Sequence, residues 1–429
     1  MRAANGCFTL GVRQRRWASA DGDYVHTLGP VGAMHDGVAF HHWANRLRQH
    51  APFEPFDRYA TAAHAARAGR MARPGATGGA PPVAFGLQLD AARHREFLKG
   101  RACAGGVRYA RDVLVDVGTA ADTGHVETLH LRSGEALPVD FVFDCRRALS
   151  PLLRDGLAVA VDDWSHWFPA DRAAVAAVTN DSGTPVCTTL SRHEYGWLSA
   201  ASSRGQTLYT LRYASTLVDD DAAVRALASD VGRPVDSVYF RALPQPGSLR
   251  AFWQGNCLAL GDAATFSHEL TVSGLHLAQS GILRWLELYP DSRCAPALAD
   301  AYNRAAREEA DRVRDVHLAH MRLALRDSPF WRAQNDTEAP ATLAYRLDLF
   351  RRTGTVPAFE GESISADTWT ALLLGMEHWP DRVDPLTDDV PLETLRDRLH
   401  ALRDEAARSA AAMPSHDAVL AEVCAEEFT

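Results

Sequence analysis

One short apolar run ends in residues that could bind a ligand. Residues 256–260 are largely apolar and are followed directly by Gly261 and Asp262. A buried parallel strand that stops at Gly-Asp before a helix often presents backbone amides to a ligand. The carboxylate of Asp262 could also accept a hydrogen bond from a ligand hydroxyl. The alternative interpretation is an N-cap, in which Asp262 binds the amides of its own helix.

Two further residue types limit the possible chemistry. His317 and His320 lie three positions apart in a long helical segment, but spacing places no third ligand beside them, so no metal site is predicted. Lys99 is the only lysine of the chain. It lies in a predicted helix, where a solvated side chain is the expected state. Amine chemistry therefore has few candidates.

Strands and helices must position these residues. The apolar alternation of Phe8, Leu10 and Val12, followed by a Gly-Asp turn before Tyr24, predicts a hairpin. Alternating or β-rich segments predict strands over 107–117, 126–131, 139–143 and 185–213. Helical periodicity predicts helices over 90–99, 220–231 and about 298–325.

Composition excludes several function classes. The 429 residues carry a net charge of −9, which gives no basic excess for binding nucleic acid. The seven cysteines form no CxxC pair, and their number is odd, so a reducing cytoplasm is the expected location. No apolar run is long enough to span a bilayer, so no membrane partner is predicted.

Four sequence blocks resemble one enzyme family and occur in its order. The central block comprises 253–261, 272–282 and 286–291, and includes Val-Ser-Gly-Leu-His-Leu-Ala-Gln-Ser-Gly-Ile. The others are Phe-Thr-Leu-Gly at 8–11 with Gly-Asp-Tyr-Val-His at 22–26, Arg-Asp-Ser-Pro-Phe-Trp at 326–331, and 369–385. On these blocks the chain is identified as a member of the flavin-dependent halogenase family, typified by tryptophan halogenases.

The resemblance implies a fold, a reaction and partners. The expected fold is α/β and resembles the FAD/NAD(P)-binding flavoprotein monooxygenases, with a substrate-covering β-sheet and a helical C-terminal subdomain. The family uses reduced FAD, O2 and a halide to make hypohalous acid, which reaches the aromatic substrate through a tunnel. The implied partners are a small aromatic molecule and a separate flavin reductase.

The sequence departs from the family at its two key catalytic side chains. The family lysine, which hydrogen-bonds or captures the oxidant, corresponds to Thr9. The family glutamate, which stabilises positive charge on the ring, corresponds to Thr271. His268 and Glu269 lie near and could substitute if the loop shifts; the alternative is that both are loop residues with solvent or capping roles.

A third departure concerns the family motif WxWxIP. Trp197 fits its first tryptophan, whereas Ser199, Ala201 and Ser202 occupy the other positions. The motif is thought to prevent direct oxygenation of the substrate, so its loss makes hydroxylation conceivable.

The cofactor contacts follow from the same resemblance. Gly261 and Asp262 resemble the Gly-Asp that contacts FAD in aromatic hydroxylases, and Ser273, Gly274 and Leu275 match the loop that passes the isoalloxazine ring and contacts halide. The family's GxGxxG motif does not occur in the 429 residues. Because the sequence begins near the strand of the catalytic lysine, we expect the first βαβ unit either to lie upstream of Met1 or to be absent.

The expected organisation is an incomplete FAD-binding domain over 1–290, with a substrate sheet inserted at about 160–250, and a helical subdomain over 291–429. The predicted function is FAD-dependent, halogenase-like oxidation of an electron-rich aromatic such as tryptophan or another indole. Two alternatives stay open: a catalytically degenerate homologue without flavin chemistry, and a halide-independent flavin hydroxylase.

Overall fold

The computed structural model describes residues 1–75, 83–146, 148–181, 183–235, 237–268, 270–272 and 274–426. The strands, numbered β1 to β18 in chain order, are Cys7–Thr9, Gly11–Arg15, Asp23–Thr27, Gly86–Gln88, Leu114–Thr119, Val126–Leu131, Ala136–Pro138, Val142–Asp144, Val161–Asp163, Arg172–Thr179, Thr188–His193, Gly196–Ser203, Gln206–Tyr213, Tyr239–Ala242, Gly247–Leu249, Trp253–Gln254, Cys257–Ala259 and Thr265–Phe266. The helices, α1 to α11, are Phe40–His50, Thr61–Arg67, Ala91–Ala104, Asp220–Val231, Gly274–Glu287, Pro296–Arg322, Pro329–Asp336, Ala341–Thr353, Ala366–Gly375, Leu392–Ala411 and His416–Glu426.

The largest sheet has seven strands in the order β14-β10-β13-β12-β11-β2-β3. Its neighbours pair antiparallel except β11 and β2, which are parallel. One face packs on α4 through Leu198, Leu211 and Leu227. Leu190 and Trp197 belong to the main hydrophobic core on the other face. The predicted β segment 185–213 is confirmed, and the sheet is longer than that segment because β2 and β3 extend it.

The N-terminal hairpin is confirmed, although its apolar alternation is divided between two sheets. β2 and β3 pair antiparallel, with Gln14 opposite Tyr24. Phe8 instead belongs to β1, which pairs with β4 in a sheet of two strands. The two sheets separate at Leu10, which lies between β1 and β2. Its backbone N–H donates to the carbonyl of Val186 and not to β3 or β4.

Two small sheets surround the predicted ligand-binding turn. β8 pairs in parallel with β17, which also pairs with β16. Because parallel strands end at the same edge, Asp144 at the end of β8 lies at the edge where β17 leads into the turn Gly261–Ala263. β5, β6 and β7 form an antiparallel meander. The strand predicted over 107–117 begins only at Leu114, opposite Leu131, because β6 ends there.

The helices follow the predicted segments closely. α4 matches the prediction of 220–231, with Asp219 capping its first turn and Gly232 in a left-handed conformation at its end. α3 begins after its N-cap Asp90 and continues past the predicted end to Ala104. α6 is buried from Glu309 to Met321 along most faces, so the main core forms around its C-terminal half.

Two further observations bear on the predicted class of protein. All seven cysteines are free thiols. Among the helices of the described part of the chain, none combines the length and apolar character needed to cross a membrane.

Candidate functional site

A cavity of about 420 Å³ opens between the end of the N-terminal hairpin, the segment before α5, α6 and the start of α9. This volume falls within the range of small-molecule sites. Its lining is mostly apolar groups and hydroxyls, from Val12, His26, Thr27, Leu28, Thr271, Val272, His276, Val316, Ser363, Ile364, Ser365 and Thr368. The cavity is therefore suited to a small, largely apolar molecule that carries hydrogen-bonding groups.

Helix capping and an ion pair fix the α9 side of the cavity. The Ser365 Oγ accepts a hydrogen bond from the Thr368 N–H at 3.1 Å, which starts α9 at the cavity wall. Behind this wall the fully buried Arg346 pairs with Glu362 and stacks on Trp369, with its guanidinium carbon 4.0 Å from the ring centroid. Glu362 and Trp369 flank the lining residues in sequence, so Arg346 holds both ends of this wall.

The two positions at which the resemblance predicts catalytic side chains lie at or beside the large cavity. Thr271 lines the cavity directly. Thr9 is outside the lining and lies at the end of β1, where its Oγ1 donates to the Gly11 carbonyl at 3.0 Å. A Cβ added at Gly86 would contact both Thr9 and Leu28, which shows that Thr9 lies close to Leu28 of the cavity wall. The cavity thus adjoins both positions.

The predicted cofactor contacts are also brought together. Gly261 adopts a left-handed φ of 57° in the turn after β17, and a Cβ there would come within 2.7 Å of the Gly274 carbonyl oxygen. A side chain at Gly274 would collide with the Asp262 carboxylate, so that carboxylate lies against the first residue of α5. Leu275 is 54% exposed on the first turn of α5. Glu269 and Ser273 lie outside the described residues.

A second, water-sized cavity of about 10 Å³ lies beside these contacts. Asp262, Gly274, Ser267 and His317 are among its lining residues, and Val272 lines both this cavity and the large one. The Asp262 carboxylate, which lies against the start of α5, is therefore separated from the large cavity by about one side chain, that of Val272.

Four buried histidines cluster around the two cavities, and the sequence did not identify them as a group. Burial lowers the pKa of His26 and His317 to about 4 and of His268 and His320 to about 3. His26 and His317 both lie near enough to His320 to lower its pKa further by charge repulsion. All four rings are therefore neutral at pH 7.

The ring nitrogens of the cluster are only partly paired. His317 Nδ1 lies 2.8 Å from Ser267 Oγ, and His320 Nδ1 lies 2.8 Å from the Val316 carbonyl oxygen. Among the described residues, Nε2 of His26, His317 and His320 has no hydrogen-bond partner, and neither nitrogen of His268 has one. Only the spacing of 317 and 320 was visible in the sequence, because the other two come from distant segments. Within the described residues, no group of three or more His, Cys, Asp or Glu side chains could hold a metal ion.

A buried carboxylate fastens α5 to α6 at the edge of the large cavity. Burial opposes ionisation of Glu309, but hydrogen bonds from His276, Arg284 and Ser280 outweigh it and lower its pKa to about 2. Glu309 therefore stays ionised, and it holds His276 at the cavity wall.

Two other sequence predictions concern single side chains. Lys99 lies on the surface of α3, 3.3 Å from Glu96, as predicted for a solvated helix residue. Trp197 is fully buried on β12, with its ring centroid 6.0 Å from that of His268. Ser199 follows it on the same strand, and its hydroxyl accepts a hydrogen bond from Arg212 at 3.0 Å.

Comparisons with known proteins agree on one family. The family model described as tryptophan halogenase matches residues 1–392. The chain is 26% identical over 375 residues to tryptophan 7-halogenase KtzQ of Kutzneria sp. (strain 744), covering 82% of this chain and 69% of the relative.

Solved structures give the same result for the fold. BrvH, a flavin-dependent halogenase from Brevundimonas sp. BAL3, superposes with a TM-score of 0.92 at 27% identity, covering 98% of this chain and 87% of that one. Xcc4156, a flavin-dependent halogenase from Xanthomonas campestris, gives 0.91 at 27% identity, with 98% and 85% covered. The expected fold class is confirmed by these similarities.

Proposed function

Since the chain belongs to the tryptophan halogenase family, we propose that it halogenates a small electron-rich aromatic compound, such as an indole, in the cavity of about 420 Å³. The observation that carries this proposal is the position of that cavity. It is lined by Thr271 and adjoins Thr9 through Leu28, the two positions at which the family's catalytic side chains are expected. Its apolar and hydroxyl-bearing wall suits an aromatic ring with a hydrogen-bonding group.

We propose that Gly261, Asp262, Ser273, Gly274 and Leu275 contact FAD. The residues that the structure describes fit such a contact. The Asp262 carboxylate can accept a hydrogen bond from a ribityl hydroxyl, and it lies against Gly274, the first residue of α5. When bound in reduced form, FAD would supply the two electrons that reduce O2 to the level of a peroxide, which is the oxidant that a halide requires. A separate flavin reductase is the proposed source of those electrons.

Position 9 and position 271 limit what this chain itself contributes. Thr9 carries no side-chain amine to hold the oxidant, and its hydroxyl already bonds to the backbone of Gly11. Thr271 has no negative charge with which to stabilise a developing cation on the ring. These residues favour slow halogenation, and they support halide-independent hydroxylation as the second candidate function.

We also retain the proposed division into an FAD-binding part over 1–290, with the substrate sheet at about 160–250, and a helical part over 291–429. Burial of α6 against the N-terminal hairpin supports a role for the helical part in closing the cavity, because Val316 of α6 lines it.

The test is product analysis by mass spectrometry. Purified protein is incubated with FAD, a flavin reductase, NADH, O2, bromide and either indole or tryptophan. Bromide-dependent bromoindole or bromotryptophan would support the proposal; hydroxylated product without halide dependence would favour the second candidate. Neither product, in protein that is shown by fluorescence to bind FAD, would refute both.

A matched pair of variants assigns the activity to this cavity. Ser363 is an exposed residue of the cavity wall, so Ser363→Trp should obstruct it and raise KM. Ala366 is exposed on the same segment but outside the lining, so Ala366→Trp is the control. Equal effects of the two changes would place the reaction elsewhere.

A further inference from the structure

The two histidines in the wall of the large cavity differ in their exposure. His26 is 7% exposed, and its Nε2 is a buried atom. The side chain of His276, on the first turn of α5, is 40% exposed. Its Nδ1 has no hydrogen-bond partner in the described part of the chain and is not one of the buried unpaired atoms there. A molecule in the cavity can therefore contact Nδ1 of His276.

Two oxygens surround the other ring nitrogen of His276. Its Nε2 lies 3.3 Å from Oε1 of Glu309 and 3.1 Å from Oγ of Ser363. Burial opposes ionisation of Glu309, but hydrogen bonds from His276, Arg284 and Ser280 keep its pKa at about 2. An ionised carboxylate can only accept hydrogen bonds, so Nε2 of His276 must carry a hydrogen.

The place of that hydrogen determines what Nδ1 can do. A neutral imidazole carries hydrogen on one ring nitrogen and a lone pair on the other. Since Nε2 of His276 carries the hydrogen, Nδ1 keeps the lone pair and is a hydrogen-bond acceptor. The opposite tautomer would turn the lone pair of Nε2 toward the negative charge of Glu309, which is unfavourable. The contact with Glu309 thus gives the cavity an acceptor nitrogen.

This acceptor is held in a fixed place. His276 belongs to α5, Glu309 belongs to α6, and Ser363 precedes α9, so three segments meet at Nε2. A ring fixed in this way loses little conformational freedom when a ligand binds to Nδ1. Thr271 lines the same cavity. An aromatic molecule bound to Nδ1 therefore shares the cavity with position 271.

We propose that His276 selects aromatic substrates that carry a ring N–H, such as indoles and pyrroles, by accepting a hydrogen bond from that N–H at Nδ1. This inference rests on the proposed function and narrows its substrate class. A molecule of the same shape without the N–H would displace water from Nδ1 and leave it unpaired, which costs binding free energy. The site should therefore distinguish indole from benzofuran, in which an oxygen replaces the N–H.

The test compares the binding of indole and benzofuran to the full chain. Their dissociation constants are measured by NMR titration at pH 8, above the ordinary imidazole pKa of about 6.5. We expect the wild type to bind indole about tenfold more tightly than benzofuran. In His276→Gln the side-chain amide occupies the region of Nε2 and leaves no acceptor in the place of Nδ1, so the preference should fall to about twofold or less. His400→Gln, an exposed change on α10, is the control and should keep the wild-type preference.

A second variant separates the acceptor from the shape of the side chain. In His276→Asn the amide oxygen can take the place of Nδ1, so the preference for indole should be about fivefold or more. No preference in the wild type, or an unchanged preference in His276→Gln, would overturn the inference. Loss of the preference in both variants, in protein of wild-type thermal stability, would also overturn it. If His276→Gln does not fold, His276→Leu is used with the same criteria.

The tautomer can be observed without a ligand. Nitrogen-15 chemical shifts of His276 at pH 8 should show a protonated Nε2 and an unprotonated Nδ1. The opposite tautomer, or hydrogen on both nitrogens, would overturn the inference and leave the proposed function intact. The two failures are distinguishable because neither the tautomer nor the binding preference depends on turnover, whereas the proposed function is refuted by the absence of product.

Discussion

The least satisfied histidine of the cluster provides a direct test of the electrostatics. His268 is 1% exposed, its ring centroid lies 5.8 Å from those of Phe168 and Phe266, and neither nitrogen has a hydrogen-bond partner among the described residues. Burial, with smaller repulsion from Arg212 and His317, lowers its pKa from 6.5 to about 3. We expect His268→Phe to reduce the sensitivity of the protein to acid.

The magnitude follows from proton linkage. A histidine whose pKa is lowered by folding contributes stability that is present above pH 6.5 and is lost as the pH falls toward the folded pKa. At pH 5, which is 1.5 units below the unfolded pKa of 6.5, protonation of this one residue stabilises the unfolded chain by about 2 kcal/mol. Between pH 7 and pH 5, His268→Phe should therefore lose about 2 kcal/mol less unfolding free energy than the wild type.

The assay is urea unfolding followed by tryptophan fluorescence at pH 7 and pH 5. Each protein is compared with itself at the two values, so any change in packing caused by phenylalanine largely cancels. His400→Gln, on the exposed side of α10, is the control and should lose as much stability as the wild type. An equal loss in His268→Phe would show that His268 is not buried in its neutral form, and would refute the reasoning.

Three further predictions concern stability and activity. Glu309→Gln should cost about 3 kcal/mol of unfolding free energy at pH 7, because folding lowers the pKa of Glu309 from its ordinary value of 4.5 to about 2. This stability is present above pH 4.5 and is lost as the pH falls toward 2. Urea unfolding of the wild type and the variant should therefore converge at acid pH. Thr9→Lys with Thr271→Glu should raise brominated indole about 100-fold in the same product assay, and no gain would argue that the path of the oxidant is closed. Arg346→Met should cost roughly 3–5 kcal/mol of unfolding free energy, because it leaves the charge of Glu362 unpaired. The double variant Arg346→Met with Glu362→Leu should approach wild-type stability in calorimetry. Equal losses in the two variants would show that packing, and not the unpaired charge, dominates.

Local signals were sufficient for much of the fold. α4 has an aspartate cap and a terminal glycine, so both of its ends could be predicted. The hairpin of β2 and β3 follows from apolar alternation around a Gly-Asp turn. The start of β5 could not be predicted, because it depends on where its partner β6 ends and not on its own residues. The end of such a strand is set by the strand with which it pairs.

The sequence predicted only those parts of the candidate site that are formed by segments close to one another in the chain. The resemblance assigned Gly261, Asp262 and Gly274 to one set of cofactor contacts, and the structure places the turn after β17 against the start of α5. The roles assigned to Thr9, Thr271 and the cofactor contacts remain predictions. Arg346 carried no signal at all, because a buried arginine is recognisable only once Glu362 and Trp369 surround it.

The cluster of His26, His268, His317 and His320 could not be found from motifs. His26 and His268 come from segments more than two hundred residues apart; His317 of α6 lies near His268, and His320 of α6 lies near His26. Burial lowers the pKa of all four rings, and burial depends on tertiary packing, which leaves no spacing in the sequence.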